Sequence, residues 1–108
     1  MSSLDASLFI SDKVHERQVE LPDGTTHTLY FRELPAAEFR KFHLAEQSDD
    51  ENLRANSMIR LVAASLCEPN GKSALTVGRA AQLKPQALGA IFAKVLEVNG
   101  FGGAAKKG

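Results

Sequence analysis

The chain has 108 residues, of which 44% are hydrophobic and 24% charged. That is the size of one domain with one core, and it is too apolar for a chain that stays unfolded. Its 13 basic and 13 acidic side chains cancel, and neither sign gathers into a block. This excludes a strong electrostatic footprint for nucleic acid or an anionic membrane and points to protein partners. A single cysteine, Cys67, excludes an internal disulfide, fits a reducing compartment and leaves no Cys/His set for a metal.

Residues 1–12 are expected to form a separate, flexible N-terminal segment. Their only apolar run is Leu8-Phe9-Ile10, with no basic leader before it, so they do not read as a secretory signal. No stretch approaches the apolar length that crosses a bilayer. From Lys13 to Glu33 the pattern predicts a β-hairpin. Val19 and Leu21 alternate with polar neighbours, Pro22-Asp23-Gly24 supplies the turn, and the return strand is rich in Thr, Leu, Tyr and Phe. Thr28, Tyr30 and Arg32 share one face of it, and Leu29 and Phe31 point from the other toward the core. A hairpin alone is marginal in water and must dock on helices.

Leu34-Pro35-Ala36-Ala37-Glu38 puts a proline and an acid where a helix begins, which predicts a helix over 35–47 with Phe39 and Phe42 on one face. Ser48-Asp49-Asp50-Glu51 caps a second helix that is expected to run to Cys67. Along it Ile59, Val62, Ala63, Leu66 and Cys67 form one buried stripe. Glu68-Pro69-Asn70-Gly71-Lys72 is a turn. Residues 76–83 read as a short helix, and Lys84-Pro85 separates it from a last helix over 86–98. Leu88, Ile91, Phe92, Val95 and Leu96 repeat there at helical spacing, and Asn99-Gly100 is a left-handed stop. Residues 101–108 are glycine-rich and are expected to form a flexible tail. The expectation is a single α+β domain over 13–100, with an N-terminal β-hairpin followed by three to four helices packed on one face of a small sheet.

Little in the sequence carries chemistry. His15, His27 and His43 fall on three different elements without HxxE or HxH spacing, so none is placed as a metal ligand or a catalytic group. Cys67 lies on an apolar stripe as an inert core thiol. Asp49, Asp50 and Glu51 lack calcium-loop spacing and are accounted for as helix caps. The glycines form neither GxGxxG nor a phosphate loop. The pattern therefore points away from an enzyme and implies no cofactor. Residues 76–91 have a helix-turn-helix rhythm, but their last helix offers only Gln86 and Lys94 to a DNA groove. A small helix-turn-helix DNA-binding regulator is therefore the weaker alternative.

The order of several segments resembles a known family. A hairpin turn at Leu21-Pro22-Asp23-Gly24 is followed by Phe31-Arg32-Glu33-Leu34-Pro35-Ala36-Ala37-Glu38. Then come Arg60-Leu61-Val62-Ala63-Ala64-Ser65-Leu66-Cys67, the turn Glu68-Pro69-Asn70-Gly71-Lys72, and Leu96-Glu97-Val98-Asn99-Gly100-Phe101. Over about residues 19 to 101 this succession resembles the small tail assembly chaperones of long-tailed, siphovirus-type phages. An RELSAAE-like helix start, an RLVALSLCDEDGK-like helix and turn, and a terminal ELNG recur in that family.

The resemblance implies a non-enzymatic protein of the bacterial host cytoplasm, absent from the mature virion. Such a protein coats the long helical tape measure protein and brings tail tube protein to it. The resemblance also implies a homo-oligomer and a longer form of the same protein made by ribosomal frameshifting, with a slippery heptamer expected in the codons around Ala104 to Gly108. The rival readings are another phage structural or adaptor protein and a generic bacterial interaction domain, and no family pattern marks contact residues. From the apolar faces alone, the candidate partner-binding side chains are Phe39 and Phe42 on the first helix and Leu88, Ile91, Phe92 and Val95 on the last. The same six are what a core of this size demands, and so small a domain cannot spare them all.

Overall fold

Alternation between Val14 and Arg32 is realised as two antiparallel strands, β1 (Val14–Glu20) and β2 (Thr26–Arg32), in a computed structural model that describes residues 4–101. The register pairs Val14 with Arg32 and Glu20 with Thr26. Gly24 makes the turn possible by taking φ +91°, a region that side chains with a Cβ avoid, and the Asp23 carboxylate accepts from the Thr25 amide and hydroxyl. Val19 and Phe31 are fully buried on the inner face, and Leu29 packs against the core beside them.

Four helices follow: α1 (Ala36–Glu46), α2 (Glu51–Ser65), α3 (Val77–Ala80) and α4 (Pro85–Val98). Pro35 precedes α1. Asp50 caps α2 by accepting from the Asn52 and Leu53 amides, and Thr76 caps α3 through the Arg79 amide. Pro85 opens α4 where its missing N–H costs nothing. Helix α4 lies on β1, β2 and α2 and puts Ile91 and Val95 against Val19, Phe31, Leu61 and Val62. The architecture is the expected α+β one, with helices on one side of an N-terminal sheet.

One boundary differs from the sequence expectation. Helix α2 stops at Ser65, and Leu66–Cys67 is an extended strand, β3, that pairs antiparallel with Tyr30 and Phe31 and gives the sheet the order β1-β2-β3. The helical stripe of residues 59 to 67 is apolar enough to continue, but three interactions stop it. The Arg32 guanidinium donates to the carbonyls of Ala64 and Gly71, at 2.9 and 3.0 Å, and the Ser65 hydroxyl donates to the Arg32 carbonyl at 2.9 Å. The end of the helix is thereby held by side chains of and to β2, and the ladder hydrogen bonds of the last two residues replace helical ones. Pro69 disfavours helix at the residue before it.

The expected stop at the far end is present. Gly100 has φ +87°, its N–H donates to the Glu97 carbonyl, and the Phe101 N–H donates to the Leu96 carbonyl at 2.7 Å. These two bonds make a Schellman cap. Phe101, where the tail was expected to begin, lies against the Phe39 ring with 4.8 Å between centroids. The rest of that tail, 102–108, lies outside the described residues. In the N-terminal segment, Ala6–Leu8 form a single 3-10 turn.

Candidate interaction surface

The first helix carries two large apolar side chains inward and leaves one outside. Phe39 is buried, and the Phe42 ring lies 5.5 Å from that of Phe92 on α4. Leu44 is two residues beyond Phe42, about 200° around the helix, and so faces away at 54% exposure. On α2 the buried positions Ser57 and Leu61 extend back by one helical step to Leu53, which the packing does not reach and which is 43% exposed. Between them runs a groove with apolar walls of Phe42, Leu44, Ala45, Leu53 and Leu61 and a volume of about 440 Å³. Lys41, Glu38 and Arg60 stand on its rim. Lys41 is paired with Glu38 at 3.6 Å, whereas Arg60 has no ion pair among the described residues.

The six candidate partner-binding side chains are distributed unevenly around this surface. Phe39, Ile91 and Val95 are buried in the core, and Phe42, Leu88 and Phe92 are partly buried against it. Of the six, only Phe42 lines the groove. Leu44 and Leu53 were not singled out by sequence, because an isolated Leu on a polar helix has no pattern that reveals its neighbour across the groove.

A second apolar surface lies in the N-terminal segment. Leu8, Phe9 and Ile10 are 67%, 63% and 49% exposed. The Asp5 carboxylate caps their turn by accepting from the Ser7 amide at 2.8 Å. Ser11 ties the segment to the domain, donating to the Glu33 carboxylate from its amide at 2.8 Å and from its hydroxyl at 3.2 Å. His15 Nε2 stands 2.9 Å from the same carboxylate. The Ser11 amide, then His15, holds the Glu33 carboxyl below its usual range.

The remaining titratable groups are scattered as the sequence suggests. His27 contacts the Thr25 hydroxyl and His43 stacks edge-on against Phe42, well apart from His15 along the fold. Among the described residues no three His, Cys, Asp or Glu side chains come together as a metal site would require. Burial pushes the Cys67 thiol upward, away from the thiolate that a nucleophile needs. Helix α3 is a single turn, and α4 spends its apolar stripe on the core. No described helix is long and apolar enough to cross a membrane.

Comparison with protein-family models, with curated proteins and with solved structures found no match to this chain.

Proposed function

We propose that the protein is a tail assembly chaperone of a long-tailed phage. It binds the tape measure protein in the host cytoplasm, recruits tail tube protein to it, and leaves before the virion is complete. The observation that carries this reading is the open apolar groove between α1 and α2, on a domain whose segments from 19 to 101 follow the order of that family. A long helical protein waiting for its tube exposes apolar stripes that invite aggregation. A groove walled by Phe42, Leu44, Leu53 and Leu61 suits one such stripe, with side chains at i, i+3, i+4 and i+7 entering and polar flanks meeting Lys41 and Arg60. The affinity comes from removing the exposed Leu44 and Leu53 and the partner's stripe from water, not from charge. Self-association and a frameshifted longer form belong to the same reading.

The test is retention of a soluble helical fragment of the tape measure protein encoded near the gene, at low and at high salt. The wild-type protein is expected to retain it with little salt dependence, and Leu53→Asp to lose at least tenfold in affinity. A protein that ignores the fragment and instead holds DNA at low salt overturns the reading.

A further inference from the structure

We infer that the N-terminal arm of one copy, residues 5–12, seats Leu8, Phe9 and Ile10 in the α1–α2 groove of a second copy. The two surfaces fit each other in kind. The arm presents three consecutive large apolar side chains that its own domain leaves about half to two thirds exposed, and the groove presents Leu44 and Leu53, exposed at its edges, over the partly buried Phe42 and the buried Leu61. The charges are complementary. Residues 5–12 carry Asp5 and Asp12 and no basic side chain, whereas the rim of the groove carries two cations, Lys41 and Arg60, against one acid, Glu38, which pairs with Lys41 and leaves Arg60 without an ion pair among the described residues. The arm is also anchored where it leaves the domain, since Ser11 is fixed on Glu33. Anchoring lowers the entropy lost when the arm is seated, because fewer residues have to be ordered.

None of the residues lining the groove belongs to the arm of the same copy, so it is the acidic, apolar arm of a second copy that we place there. The contact joins two different patches, so each copy offers one of each. A contact of this size is at the small end of specific association and calls for concentrations of micromolar order or above. This inference deepens the self-association of the tail-chaperone reading by naming its contact, and its test contains no protein but this one. Where no helical partner is present, the arm covers the apolar walls that such a partner would fill.

The experiment is sedimentation velocity on the full chain between about 10 and about 500 μM, a range set by that weak-contact expectation. The wild-type protein is expected to gain mass with concentration. Phe9→Asp, which removes the arm, and Leu53→Asp, which removes a groove wall, each weaken association at least tenfold, and an equimolar mixture of the two regains it. Both positions are exposed, and circular dichroism checks that the variants are folded. Should Leu53→Asp unfold, Leu44→Asp on the facing wall replaces it. A wild-type protein that stays monomeric throughout, a variant that associates like the wild type, or a mixture that does not associate overturns the inference. So does a disulfide between Phe9→Cys and Leu53→Cys that forms only within single chains. Phe9→Asp leaves the groove intact and keeps its binding to the tape measure fragment, so this inference and the proposed function fail separately.

Discussion

The backbone N–H of Leu34 donates to the side-chain oxygen of Asn99 at 2.8 Å, across 65 residues of chain. The same Asn99 side chain turns its amide nitrogen to the Val95 carbonyl, also at 2.8 Å. One residue thus satisfies a donor between the sheet and α1 and an acceptor in the last turn of α4. The Leu34 N–H is a backbone group that regular structure leaves unpaired, whereas the Val95 carbonyl also accepts from the Asn99 backbone N–H at 3.2 Å.

Asn99→Ala removes both bonds and is expected to lower stability by about 1–3 kcal/mol, the usual range for a half-buried backbone group left without its partner. Asn99→Asp keeps the acceptor for Leu34 but loses the donor to Val95, and should fall between the two. Urea unfolding measures the difference, and an alanine variant as stable as the wild type would mean that water replaces the Asn99 side chain at no cost.

Two glycines in and after α4 should respond with opposite signs. Gly100 holds φ +87° in the Schellman cap, where a Cβ is strained, and Gly100→Ala is expected to cost about 1–2 kcal/mol. Gly89 lies in the helix on its exposed side, with nothing within 4 Å of where a Cβ would stand. Gly89→Ala is expected to raise stability by about 0.5–1 kcal/mol through helix propensity and a less free unfolded chain. Thermal melting of the two variants checks the signs.

Acid should loosen the arm before it unfolds the core. The folded Glu33 carboxyl lies below its ordinary value of 4.5, held there first by the Ser11 amide and then by His15. A lowered folded value means that the stabilisation is present above 4.5 and is lost as pH falls through the folded value beneath it. The wild-type protein should therefore lose a stability increment below pH 4.5 that Glu33→Gln, which has no such titration, does not lose. Urea midpoints from pH 6 down into that range test this, and parallel curves for the two proteins would show that the Ser11 and His15 contacts contribute nothing.

Most of the elements were legible because they rest on local rules. Pro22-Asp23-Gly24 sets the turn, Asp50 and Pro85 start helices, and the stripe through Ile91 and Val95 places α4. The end of α2 was not legible, because Leu66 and Cys67 satisfy a helical stripe as well as they satisfy a strand. What decides between the two is Arg32, 32 residues earlier than the Ala64 carbonyl it holds. The groove was hidden for a similar reason. Phe39 and Phe42 look like the more inviting contact residues, but Phe101 and Phe92 cover them, and the exposed positions are the less conspicuous Leu44 and Leu53. In the arm, Leu8-Phe9-Ile10 is visible as an apolar run, yet nothing local says whether it is buried.

The Leu34–Asn99 clamp also dictates an order of events during synthesis. A ribosome releases the hairpin, α1, α2 and β3 before it releases α4, so the Arg32 bonds to Ala64 and Gly71 can close while Leu34 still waits for its acceptor. Through that interval Val19 and Phe31 lack the Ile91 and Val95 side chains that complete the core around them. The nascent chain must therefore hold a core that Leu61 and Val62 cover only in part until α4 has emerged. The arm, by contrast, is complete from the outset.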